Sequence, residues 1–129
     1  FAEMGEVIGD ALANAITLLD GLIVIGGGLA AAYPLFIESV LTEMNGTIDS
    51  YTGQKLPRIV QKSFDFENPE QCKQFIAGSV KTIKVPRSQK TLQYDSMKRL
   101  GVGRAVLDTS TAVSIGATVF ALNELDRRG

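Results

Sequence analysis

Histidine is absent from this chain of 129 residues, and Cys72 is its only cysteine. Without an imidazole, neither a Ser-His-Asp nor a Cys-His nucleophile system can be assembled from these residues. One thiol allows no intrachain disulfide and no cysteine-rich zinc site, so Cys72 is read as a small core or half-buried residue of a reducing compartment. Lys and Arg are missing ahead of Lys55, where the charges are Glu3, Glu6, Asp10, Asp20, Glu38, Glu43 and Asp49. A long uninterrupted apolar run is missing too. The most apolar region, residues 11–36, is broken by Asn14, Asp20, three glycines and Pro34, which argues against a membrane span.

The charge reverses further on. Lys81, Lys84, Arg87, Lys90, Lys98, Arg99 and Arg104 face only Asp95 between residues 81 and 104. Two readings fit: acidic and basic faces that pair or are solvated, or an anion-binding face for phosphate or nucleic acid. Hydrophobic residues make up 45% of the chain and charged ones 21%. That balance is ordinary for a globular cytoplasmic protein and excludes disordered and collagenous classes. The length suits one folding unit, residues 1–129, too short for a two-lobed enzyme. With no initiator Met or leader ahead of Phe1, the chain is expected to be part of something longer.

Hydrophobic spacing sets out the elements. Met4, Val7, Ile8, Ala11, Leu12, Ala15, Ile16 and Leu19 recur at helical steps, with Glu3, Glu6, Asp10, Asn14 and Thr17 opposite; this predicts an amphipathic helix stopping near Asp20 and Gly21. The acidic stripe reads as a solvated face. A buried strand over residues 22–25 then runs into Gly26-Gly27-Gly28 and a helix that carries Pro34 in its first turn and ends near Asn45 and Gly46. Three successive glycines carry a large entropic cost on folding, which points to a ligand approaching the backbone closely. A phosphate is the leading candidate, because a helix start presents unpaired N–H groups. The pattern is neither a Walker A loop, since no Gly-Lys-Ser/Thr follows, nor a dinucleotide fingerprint, since G-x-G-x-x-G spacing is lacking. Tyr33, just beyond, is placed either against an adenine ring or in the core.

Residues 47–66 read as loop-rich, with strand character only at residues 58–60. Asn68 as N-cap and Pro69 at the first helical position open a short helix stopping at Gly78. Residues 80–85 and 91–94 form a hairpin around residues 86–90, whose Arg87 and Lys90, with Lys98 and Arg99 beyond it, are candidates for phosphate or DNA contact or a plain surface patch. A short strand at residues 104–107 precedes a closing helix over residues 111–126, with Ala112, Ile115, Val119 and Leu122 as its apolar face. Asp108, Thr109, Ser110 and Thr111 offer its cap, and Thr109, Ser110 and Thr111 are also candidates for a phosphate contact.

Where Asp10-Ala11-Leu12-Ala13-Asn14-Ala15-Ile16 leads into Leu19-Asp20-Gly21-Leu22-Ile23-Val24-Ile25-Gly26-Gly27-Gly28, the chain resembles the C-terminal region of ROK-family proteins. These are bacterial glucokinase-like sugar kinases and sugar-responsive repressors. Leu107-Asp108-Thr109-Ser110-Thr111-Ala112-Val113-Ser114-Ile115-Gly116-Ala117 resembles the family's closing helix; residues 47–103 match less specifically. The resemblance implies an α/β fold, part of the C-terminal lobe of an actin-like, hexokinase-like ATPase of the ribonuclease H-like class. Its elements would be the helix–strand–Gly-Gly-Gly–helix unit, a strand hairpin and a C-terminal helix.

On that resemblance Gly26, Gly27 and Gly28 match the adenosine motif that lines an ATP site, with Mg accompanying the nucleotide. The family's phosphate loop, sugar-contacting Glu and His, catalytic Asp and zinc motif have no match here, so no catalytic or metal residue is assigned. The implied partners are nucleotide and sugar in the full-length protein, an N-terminal lobe, and nucleic acid only for a repressor. Strands that complete the C-terminal lobe itself precede residue 1 in the family, so the strand at residues 22–25 is expected to lack a neighbour and expose a pairing edge, and the chain to self-associate.

Overall fold

The computed structural model describes residues 1–128. Its centre is a three-stranded parallel sheet made from Ile23–Ile25 (β1), Lys62–Asp65 (β4) and Arg99–Arg104 (β7), in the order β1-β7-β4. Two antiparallel hairpins stand apart from it: Thr47–Asp49 (β2) with Lys55–Pro57 (β3), and Val80–Lys84 (β5) with Thr91–Asp95 (β6). The helices are Ala2–Leu18 (α1), Tyr33–Met44 (α2), Pro69–Ala77 (α3) and Thr109–Arg128 (α4), with a 3-10 turn at Gly28–Ala32 leading into α2.

One face of the sheet carries the core. Ile23 and Ile25 of β1 and Leu100 and Val102 of β7 meet Phe36, Ile37, Val40 and Met44 of α2 and Ala13 and Ile16 of α1. The period-two alternation of a strand sends the intervening residues to the other face. There Phe64 and Phe66 pack edge-on against Phe75 of α3, and the Phe66 ring occupies the space that a side chain at Gly101 would need. Among the described residues nothing covers β1 on that face, and Val24 is 66% exposed.

α1 meets α2 through small residues. A Cβ on Gly5 would lie 2.6 Å from Ser39 Cβ, and one on Gly9 would lie 2.7 Å from Glu43 Cβ. The buried line of α1 is therefore Gly5, Gly9, Ala13 and Ile16. Val7 and Leu19, assigned to the apolar face by spacing, are exposed. Close approach rather than side-chain hydrophobicity selects the face. The helix closes on Leu19 in an extended conformation and not on Gly21. Arg58 ties the two helices from outside, pairing with Asp10 of α1 and with Glu43 of α2, so one carboxylate of the acidic stripe, Asp10, is engaged and not merely solvated.

Three expectations are corrected by the sheet. Residues 58–60 are not a strand; Lys62–Asp65 is, and its Ser63, Phe64 and Asp65 are buried on both faces. Residues 104–107 are not a strand either, because β7 ends at Arg104. The strand at 22–25 does have a neighbour in β7, while its outer edge has none among the described strands. The capped helix α3 and the β5–β6 hairpin stand where the sequence puts them, with Asn68 accepting from the N–H groups of Glu70 and Gln71 and Gly78 closing the helix at φ 61°. The closing helix begins two residues early, at Thr109, and none of its described residues is buried.

Candidate functional site at the carboxyl end of the parallel sheet

All three parallel strands end on the same side, and the loops that leave them converge there. Open parallel sheets place their ligand crevices at this end. β1 leads into Gly26-Gly27-Gly28, β4 into Phe66-Glu67-Asn68, and β7 into residues 105–108 and α4. Pairing of β1 and β7 continues one step past the strands, since the Ala105 N–H donates to the Ile25 carbonyl at 2.8 Å. This brings the glycine loop and the start of α4 together as two walls.

The three glycines are not equivalent. Gly27 has φ 85° and ψ −166°, a region that only glycine occupies without strain. Its carbonyl accepts from Ala30 N–H at 3.1 Å and starts the 3-10 turn. Gly26 lies against Ala105, where an added Cβ would make an ordinary 3.5 Å contact. An added Cβ at Gly27 or Gly28 would meet nothing within 4 Å. The backbone at these two positions is open to a ligand and unobstructed by the rest of the fold.

Beside that backbone lies a cavity of about 500 Å³, walled by Gly27, Gly28, Ala30 and Ala31 on one side and by residues 105–110 on the other. Its volume lies within the range of small-molecule sites. Asp108 caps α4 there: Oδ1 accepts from Thr111 N–H at 2.9 Å and Oδ2 from Thr111 Oγ1 at 2.6 Å. These bonds, the hydroxyl first, hold the Asp108 carboxyl below the usual carboxylate range. Capping thus falls to Asp108, while Thr109 and Ser110 line the cavity. Arg104 and Glu67 also line it and are joined by an Nε to Oε2 bond of 2.9 Å.

A second, larger groove of about 1100 Å³ runs between α2 and α3 and shares Glu67 and Arg104 with the first. Several of its polar groups are engaged with one another. Asp65 Oδ1 accepts from Tyr33 Oη at 2.7 Å and from Glu67 N–H at 2.9 Å. Asn45 both accepts from Ser63 N–H and donates to its carbonyl, and Gln71 accepts from Asp65 N–H. These side chains hold the sheet edge together, and the groove does not include the glycine loop, so the smaller cavity, which the glycines line, is the candidate site.

Of the other residues singled out by sequence, Tyr33 is 1% exposed and packs edge-on to Phe36 at 5.9 Å. Burial, then its bond to Asp65, pushes its phenol well above the ordinary range, so it serves as a neutral donor in the core and has no face free for an adenine. Arg99 pairs with Asp95, donates to the Phe75 carbonyl and lies over the Phe75 ring. Arg87, with φ 58°, sits in the turn of the β5–β6 hairpin. Neither these two nor Lys90 or Lys98 lines the cavity; Arg104, the last member of the basic run, is the cation that does. Among the described residues no group of three or more His, Cys, Asp or Glu side chains converges to hold a metal ion, and no helix is long and apolar enough to cross a membrane.

No protein-family model matches this chain, and no curated protein does. Among solved structures it is similar to the crystal structure of a glucokinase from Parabacteroides distasonis ATCC 8503, with 39% sequence identity and a TM-score of 0.73. The match covers 95% of this chain and 32% of the glucokinase chain. Over nearly all of its length the chain is glucokinase-like in both sequence and fold, and it spans 32% of that glucokinase's length.

Proposed function

We propose that this chain is the nucleotide-binding part of a glucokinase-like sugar kinase of the ROK family. In this reading the sheet belongs to the C-terminal lobe of an actin-like ATPase fold. Gly26, Gly27 and Gly28 form the adenosine side of the ATP cleft, and Mg arrives with the phosphates. The observation that carries the reading is the open backbone of Gly27 and Gly28 at the carboxyl end of the parallel sheet, within a stretch similar to a glucokinase.

The chemistry divides accordingly. Transfer of a phosphoryl group to a sugar hydroxyl requires a positioned acceptor, a base and metal-bridged phosphates in one closed site. These residues contribute binding and orientation: close backbone approach at the glycines, the N-terminal turn of α4, and the Arg104–Glu67 pair at the back of the same cavity. The isolated chain is accordingly expected to bind nucleotide without phosphorylating glucose. Photolabelling with 8-azido-ATP tests this, and the expected result is label on peptides spanning residues 23–35 or 104–112, competed by ADP. Label confined to the β5–β6 hairpin would contradict the reading.

A further inference from the structure

Arg104 is placed to do more than close a surface ion pair. It is the last residue of the central strand and stands opposite Ile25 in the register, directly beside the start of the glycine loop. Among the residues lining the glycine cavity it is the only cation. Its Nε donates to Glu67, and no other hydrogen bond engages its guanidinium among the described residues. Glu67 is therefore the one group that holds the guanidinium among the described residues, and the planar fork it holds suits a phosphate equally well.

Glu67 is held in a way that lets its side chain move while its backbone stays. The Glu67 N–H is fixed by Asp65 Oδ1 at 2.9 Å, whereas the carboxylate is in a pair whose side chains are 44% and 39% exposed. Exposed pairs of this kind are weak and easily exchanged. The carboxylate occupies the place beside Arg104 where an anionic oxygen of a ligand would be received.

We infer that Arg104 contacts the phosphate chain of the nucleotide and that Glu67 is its resident competitor, displaced from the guanidinium when a phosphate binds. This rests on the nucleotide reading above and deepens it, since it names the side chain that receives the phosphate chain. Discrimination between adenosine and its phosphates would then come from one exchange of anions at Arg104.

Calorimetric titration of the chain and its variants with adenosine and with ADP tests this. Arg104→Ala is expected to weaken ADP binding about tenfold and leave adenosine binding unchanged. Glu67→Gln, which removes the competing negative charge and leaves only a neutral acceptor beside the guanidinium, is expected to strengthen ADP binding roughly threefold, again without effect on adenosine. Arg104→Lys keeps the charge and loses the fork, and should fall between wild type and Arg104→Ala. Equal ADP affinity in wild type and Arg104→Ala, or equal losses for adenosine and ADP, would overturn the assignment while the nucleotide reading stands. Should Arg104→Ala not fold, unchanged ADP affinity in both Glu67→Gln and Arg104→Lys would overturn it. Wild-type protein that binds neither ligand would overturn the nucleotide reading itself, and the assignment with it.

Discussion

A methyl group at Gly27 would burden the fold, whereas the same group at Gly28 would burden only a ligand. Gly27 alone of the triplet has a positive φ, and an added Cβ at either position meets open space. Gly27→Ala is expected to lower stability by about 1–3 kcal/mol, while Gly28→Ala should change it by less than about 0.5 kcal/mol and still weaken nucleotide binding. Chemical denaturation of the two variants, set beside their ADP affinities, separates the roles; equal stability losses would contradict the distinction. The triplet was legible in the sequence as a place of close approach, but which glycine bears the strain was not, because φ depends on how Ala105 and the 3-10 turn flank it. Tyr33 was ambiguous for a related reason. Only the partner across the sheet, Asp65, makes it a core donor, and no local pattern joins residues 33 and 65.

Elements with a strong period were the ones the sequence could reveal. α1, α2, α3 and the β5–β6 hairpin stand within a few residues of their expected places, because each carries its own spacing, cap or alternation. β7 was hidden by its composition. In Leu100-Gly101-Val102-Gly103 the alternate positions are glycines, and the apolar surface that completes the strand is supplied by Phe66 from another segment. β4 was hidden because two of its four residues, Ser63 and Asp65, are polar yet buried; Asn45 and Gln71 bond their backbone and Tyr33 bonds the Asp65 carboxylate, partners that no local pattern reveals. Helix packing carries its own test. Gly9→Ala would press a methyl onto Glu43 and the Val40 carbonyl, and a loss of about 1–3 kcal/mol is expected in thermal or urea unfolding; an unchanged midpoint would show that α1 does not pack so closely.

The cap of α4 has a pH signature. A carboxyl whose folded pKa is depressed stabilises above its unfolded value, near about 3.9, and that contribution disappears as pH falls through the lower folded value. Asp108 is such a group. Helical circular dichroism should therefore decline on acidification below the ordinary carboxylate range, and less steeply in Asp108→Asn. Identical acid limbs would remove the cap from the explanation.

At the scale of the molecule, the sheet has one protected edge and one open edge. Asn45 and Gln71 pair with the backbone of β4 and close it to other strands. β1 has no such cover, Val24 is exposed, and α4 presents Ile115, Val119, Phe120 and Leu122 to solvent. Unpaired edges and uncovered apolar faces favour association, so the expected result in sedimentation is a mass that rises with concentration, reduced by Val24→Lys. A strictly monomeric species at all concentrations would contradict this. The glycine loop, the start of α4 and the Arg104–Glu67 pair meet only because three parallel strands end together, and that convergence supports the nucleotide reading. Its most direct test is amide hydrogen exchange across residues 22–35 with and without saturating ADP. Slower exchange at Gly27, Gly28 and the following turn is the predicted result, and exchange unchanged by ADP would contradict it.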